Sequence, residues 1–380
     1  MSYTDFAKEY LFLLGNGVSI ASAIPELNKY LAFIPSIKNI IPILAGMDEL
    51  EKKSPFELSD LMEESHLQAL KWLIAKVIEI SGGKRERDIV KLLAILEEDY
   101  ANNWNQQNNL QLQERTDWSA QNFGDISTLE NAIYHFVVAY YTKFEKKYLK
   151  KLWHLVQKDH SPVISLNWDI NFERVIHEKN PTISMANYYG EYIFNLLPFD
   201  QKNKPYNPLV NILKPHGSLN WLIPTGIEAT YGDLKVESDK MQSGCQLRVV
   251  DNMPANFNSE CQCFLIPPVP DKVAVERFSG LFWKIKEAIW NDLSEKIRKN
   301  AMNSRTLVVI GYSFPPEDEH IRKLFVNNQF EIVQVFDTNE DVYKRIKGYF
   351  PEAKSEFKKG GFSDILKWNV GEGFKPSRSE

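Results

Sequence analysis

Short apolar runs recur along the chain, and several end at a glycine or a small polar residue. Tyr10-Leu11-Phe12-Leu13-Leu14 leads straight into Gly15. Comparable runs stand at Ser161–Leu166, Val210–Leu213, Phe264–Ile266, Thr306–Ile310 and Ile332–Phe336. A continuous apolar run, as opposed to an alternating one, predicts a strand buried on both faces, as in a parallel sheet. Patterns of helical spacing lie between several of these runs, at Phe278–Ile297 and Glu319–Asn327, and Ile20–Ile24 could open another helix. Strands alternating with helices predict an α/β fold, a parallel sheet with helices on both faces.

From about residue 26 to 160 the period changes. Leu70, Leu73, Ile74, Val77 and Ile78 fall at helical spacing, and Ile89–Leu96 looks the same. Ser127-Thr128-Leu129-Glu130 has capping-box spacing and precedes the stripe Ile133, Phe136, Val137 and Tyr140. An Asn- and Gln-rich stretch, 102–121, reads as a loop. The expected organisation is a sheet domain built from 1–25 and 161–370, a helical insertion at 26–160, and a polar tail at 371–380.

Composition narrows the class. Of 380 residues, 43% are hydrophobic and 25% charged, as in a globular protein. The net charge of −5, from 45 basic and 50 acidic residues, lacks the basic excess of a protein that holds nucleic acid over a broad face. The N-terminus has no secretory pattern, and Ile40–Ala45 is far short of the ~20 residues that span a bilayer. A cytoplasmic protein without membrane attachment is expected. Three cysteines (Cys245, Cys261 and Cys263) are too few for a four-ligand zinc site unless histidines join them.

Four places carry candidate chemistry. Gly15-Asn16-Gly17-Val18-Ser19 follows the first strand, where a glycine turn lets backbone approach a phosphate. Many glycine turns after a strand are only tight turns. The dehydrogenase fingerprint is not met, because Ile20 stands where a third glycine belongs. Asn167 and Asp169 end a strand and could bind sugar hydroxyls or orient a water; an Asx turn with a helix cap is the alternative. His216, before Gly217, could move a proton at neutral pH or be a structural residue. The other six histidines, His320 among them, read as helical or surface residues. Gly311-Tyr312-Ser313 is a second glycine turn, and Asp337 ends the last strand, where a carboxylate could meet a ribose or cap a helix.

In order, these segments resemble the Sir2-like (sirtuin) family. Gly15–Pro25 is similar to its motif Gly-Ala-Gly-x-Ser-x-x-Ser-Gly-Ile-Pro, Ser165–Asp169 to Thr-Gln-Asn-x-Asp, His216-Gly217 to His-Gly, and Gly311–Ser313 to Gly-Thr-Ser. Asn16, Ala23 and Leu166 depart from the pattern. The interval from about Gly226 to Cys263 lacks the four-cysteine zinc module of the family's protein deacylases. The wording looks closest to the zinc-free Sir2-like proteins of bacterial anti-phage systems, which hydrolyse NAD+.

The resemblance implies a Rossmann-like domain that takes NAD+ as substrate, with no metal. It implies Gly15, Asn16, Gly17, Ser19 and Pro25 around the diphosphate, and Gly311, Ser313 and Asp337 toward the adenosine end. Asn167, His216 and Asp169 would be the catalytic set. It further implies a homo-oligomer, or gating by a partner such as a neighbouring-gene ATPase or helicase. An NAD-dependent protein deacylase and a catalytically silent NAD- or ADP-ribose-sensing subunit are the alternatives.

Overall fold

A computed structural model describes residues 10–22, 144–197, 210–224, 247–251, 261–265, 289–299, 306–315 and 318–368. Along the chain run β1 (Tyr10–Leu14), α1 (Asn16–Ser22), α2 (Lys146–Asp159), β2 (Val163–Ser165), α3 (Asn171–Lys179) and α4 (Glu191–Leu196). Then come β3 (Ile212–Leu213), β4 (Gly217–Pro224), β5 (Arg248–Val249), β6 (Cys261–Leu265), a helical stretch at 289–299, β7 (Thr306–Ile310), α5 (Glu319–Val326), β8 (Ile332–Phe336), α6 (Glu340–Tyr349) and β9 (Lys354–Lys358). Pro25, the helical patterns between 69 and 140, the polar stretch 102–121 and the tail 371–380 lie outside the described residues.

Six strands form one wholly parallel sheet in the order β3-β2-β1-β7-β8-β9. Counted within the sheet, that order is 3-2-1-4-5-6, the Rossmann-like arrangement, and the chain reverses direction across the sheet between β1 and β7. Successive side chains of a strand face opposite sides. Phe12, Leu14, Val308 and Ile310 join one core with Leu152, Trp153 and Val156 of α2 and Val175 and Ile176 of α3. Leu11, Leu13, Leu307 and Val309 join the other with Leu293, Ile297, Ile321, Phe325 and Ile346. Both faces are therefore covered by helices. Leu11, Phe12 and Leu13 are 0% exposed, each worth about 1.5–3 kcal/mol of burial.

Four strands depart from the sequence reading, β4, β5, β6 and β9. The run at Phe264 belongs to β6, which joins an antiparallel sheet, β5-β4-β6, outside the main one. The charged edge strand β9 was not expected at all.

The carbonyl of Ser22 accepts the Glu145 N–H at 2.6 Å, so the described residues on either side of 23–143 meet there. The apolar face of α2, which ends the segment read as an insertion, lies in the sheet's core. Among the described residues no helix is long and apolar enough to cross a membrane.

Because β1 and β7 are neighbours, the turns that follow them touch. Gly17 N–H donates to Gly311 O at 2.9 Å, and Gly15 N–H to Ile310 O at 2.9 Å. A Cβ on Gly17 would lie 2.6 Å from Gly311 Cα, and Gly311 itself sits at φ +61°. Gly311→Ala should lower the unfolding free energy by about 2–4 kcal/mol, through left-handed strain and overlap with backbone. Gly348→Ala, in α6 with nothing within 4 Å of the added carbon, should be neutral or gain about 0.5–1 kcal/mol. Equal urea midpoints for the two variants would contradict this packing.

Candidate functional site

In an open parallel sheet, ligands sit beyond the carboxyl ends of the strands, where the strand order reverses. Here that rim is assembled from four distant stretches of chain. α1 begins directly after Gly15, which places Ser19 in the helix, 2% exposed. Its Oγ donates to Asp169 Oδ2 at 2.5 Å. Asp169 Oδ1 accepts the Asn171 N–H at 3.0 Å, an Asx turn that leads into α3. The N–H groups of Gly15, Gly17 and Val18 all donate within the chain, to Ile310, Gly311 and Gly15 respectively. The glycines thus let two turns pack together.

Asn167 lies between two backbone ties. Leu166 N–H donates to Leu14 O at 2.9 Å, and Leu219 N–H donates to Trp168 O at 3.0 Å. The second tie joins the end of β2 to the segment that carries His216. The Asn167 side chain is 9% exposed, and no hydrogen bond ties it to another described residue.

Beneath this loop lies a charge pair that the sequence reading did not find. Lys214, 1% exposed, donates through Nζ to Asp169 O at 2.6 Å and to Glu173 Oε1 at 2.9 Å. The Tyr189 hydroxyl lies 3.3 Å from the same Glu173 oxygen and donates to Asn220 Oδ1 at 2.9 Å. Burial, and then the Glu173 charge, raise the Tyr189 phenol well above its ordinary value, so it remains a donor. Ser218 Oγ and the Val250 carbonyl complete the bonding of Asn220. The turn that carries Lys214 closes with Gly217 N–H on Lys214 O at 3.0 Å, and Gly217 takes φ +75°.

His216, in that turn, is 4% exposed. Its Nε2 lies 3.5 Å from Asp318 Oδ1, and Asp318 Oδ2 accepts from the Tyr312 hydroxyl at 2.9 Å. Burial alone would push the Asp318 carboxyl up. The His216 ring, then the Tyr312 hydroxyl and His320, outweigh that and hold it below the usual carboxylate range. His320 is helical, as read, but its ring also stands edge-on to His216 at 6.2 Å, with Trp290 5.1 Å beyond. Asp318 and His320 escaped notice because they sit in a polar stretch at the start of a helix, where acidic residues usually cap.

The remaining expected residues lie after the ends of β1, β7 and β8. Asn16 opens α1, and Ser313 is half-buried after the second glycine turn. Asp337 ends β8, and its Oδ1 accepts the Asn339 N–H at 2.8 Å, while Asn339 itself caps α6. Asp292, on the helical stretch at 289–299, packs against Gly190 and is 2% exposed. Burial raises its carboxyl to about 6, partly opposed by Lys296. No protein-family model matches the chain, and no curated protein matches it.

Two predictions follow from these buried charges. Lys214→Met leaves the Glu173 carboxylate uncompensated and should lower the unfolding free energy by about 3–5 kcal/mol. Adding Glu173→Leu should recover most of that loss; a double variant as unstable as the single one would refute the pairing. For Asp292 the folded state binds its proton more tightly than the unfolded state, so its stabilising contribution is complete below about pH 4 and is lost as pH rises through about 6. Asp292→Asn should therefore gain stability relative to the parent across that window, and parallel stability–pH curves would contradict this.

Proposed function

We propose that the protein hydrolyses NAD+ at the nicotinamide–ribose bond, releasing nicotinamide and ADP-ribose. The observation that carries this reading is the convergence of the four Sir2-like segments, 15–19, 165–169, 216–217 and 311–313, at one rim of the sheet. They are cross-linked there by Ser19 to Asp169, by Leu219 to Trp168 and by Gly17 to Gly311. A structural role alone would not require an almost buried asparagine whose amide makes no hydrogen bond to a described residue, on a loop tied to the segment that carries a buried histidine.

In this reading the diphosphate lies against the packed turns at Gly15–Gly17 and Gly311, with Ser313 and Asp337 toward the adenosine. The Asn167 amide orients a water at the anomeric carbon. A new C–O bond forms there as the C–N bond to nicotinamide breaks, and nicotinamide leaves as a neutral molecule. His216 takes the proton that the water gives up and returns it to solvent. Positive charge develops on the ribose in the transition state, and the oriented amide oxygen stabilises it. Asp169, bonded to Ser19 and to the Asn171 N–H, holds the Asn167 loop in place.

The same resemblance extends the proposal to a cytoplasmic effector of anti-phage defence that depletes NAD+. Its activity would be gated by self-association or by a partner such as an ATPase or helicase.

The purified protein is incubated with NAD+, alone and with the neighbouring gene product, and nicotinamide is followed. Asn167→Ala and His216→Ala should each lower release at least about 100-fold with the melting temperature little changed. Full activity in either variant would sink the assignment. Size-exclusion runs of the same samples test the gating: a monomer of unchanged activity in both would rule it out.

A further inference from the structure

Asp318 belongs to none of the segments that suggested the reaction, yet its side chain reaches the proposed base. It stands immediately before α5, where an aspartate normally accepts a hydrogen bond from the first turn of the helix. Here it makes no such cap. Its carboxylate is 3% exposed and turned inward, with one oxygen on the Tyr312 hydroxyl and the other facing His216. A side chain that forgoes its local use for a long-range one marks a functional demand.

The backbone leading to it carries strain with the same outcome. Gly311 takes φ +61°, and Phe314 takes φ +49°, a left-handed conformation that a bulky residue avoids. Phe314 is held there because its ring is fully buried, within 4.7 Å of Tyr312 and about 6 Å of Phe325, Tyr349 and Phe350. This twisted turn, closed by Asp318 N–H on Pro315 O at 3.1 Å, brings Tyr312 and Asp318 together beside the imidazole.

We infer that Asp318 is a positioning residue for His216, one that fixes the proton on Nε2 and leaves Nδ1 as the nitrogen that accepts the proton from the attacking water. The inference rests on the hydrolase reading for the role of that proton, but not for the pairing itself. Nε2 faces the carboxylate at 3.5 Å, and neither it nor Nδ1 makes a hydrogen bond to a described residue, so the carboxylate is, among the described residues, the one charged group against the ring's Nε2 edge. A neutral imidazole has one N–H and one lone pair, so a carboxylate on one side dictates which nitrogen is basic. At 3.5 Å the pair is longer than a hydrogen bond, and catalytic contacts of this kind are often long in the free enzyme. Tyr312 keeps the carboxylate from rotating away, and the His320 ring limits the swing of His216.

The test uses the full chain labelled with 15N-histidine, with His216→Gln to assign the ring signals. In the parent, His216 should show a protonated Nε2 and an unprotonated Nδ1; in Asp318→Asn the two tautomers should mix. Nicotinamide release should fall about 10²–10⁴-fold in kcat for Asp318→Asn while KM stays within about threefold. Asp318→Glu should regain at least tenfold of the lost kcat. Tyr312→Phe, which keeps the ring packing, should lose about tenfold, and it serves if Asp318→Asn does not fold. An unchanged tautomer, or a kcat loss below about threefold in Asp318→Asn or in the Tyr312→Phe substitute, would overturn the inference. A parent that releases no nicotinamide would overturn the hydrolase reading instead, and the ring spectra would still decide the pairing.

Discussion

An ammonium group removed from water is unstable unless charge and hydrogen bonds inside the protein offset its desolvation. Lys214 meets that condition with a carboxylate from α3 and a carbonyl from the loop before it, and the site's geometry follows from the way it does so. One cation joins the end of β3, the loop after β2 and the first turn of α3. The loop holds Asn167 and the Lys214 turn holds His216, so the two candidate catalytic residues are positioned by the same buried charge. The surrounding Tyr189, Asn220 and Ser218 complete the bonding and leave the network little freedom to rearrange.

Above this anchor the rim combines fixed backbone contacts with polar side chains that make no bond to a described residue. The glycine contact between the two turns, and the Ser19–Asp169 bond, fix backbone positions. Asn167 and His216 keep polar atoms that make no hydrogen bond to another described residue. This contrast, more than any single residue, supports a reactive site over a plain packing junction. The proposed chemistry needs only an oriented water, a base and a place for a diphosphate.

The sequence revealed the main strands because apolar runs such as Leu11–Leu14 and Leu307–Ile310 can be buried only on both faces, and the short turns after them carried glycines. It concealed β9, because an edge strand of Lys, Ser and Glu alternates no clear apolar face. It misplaced β6, because an apolar run does not say which sheet it joins. In the site, Ser19, Asn167, Asp169 and His216 were legible from type and position at strand ends. Lys214, Glu173 and Asp318 were not. Each is a charged residue whose role depends on a partner dozens of residues or more away, and no local pattern separates a buried charge from a solvated one. Asp318 was hidden twice over, since its position before a helix already had an ordinary explanation.

The two borders of the main sheet differ in kind. β3 is two residues long, and Tyr189 bridges to Ile212 on its outer side. β9 presents Lys354, Glu356 and Lys358 along its length. A short, covered border and a charged one both resist the addition of a further strand. Copies of this chain that associate would therefore do so through helical or loop surfaces, without extending the sheet from one molecule into the next. The candidate site, lying across the strand ends, would keep its outline in such an assembly unless a neighbouring surface is laid directly over it.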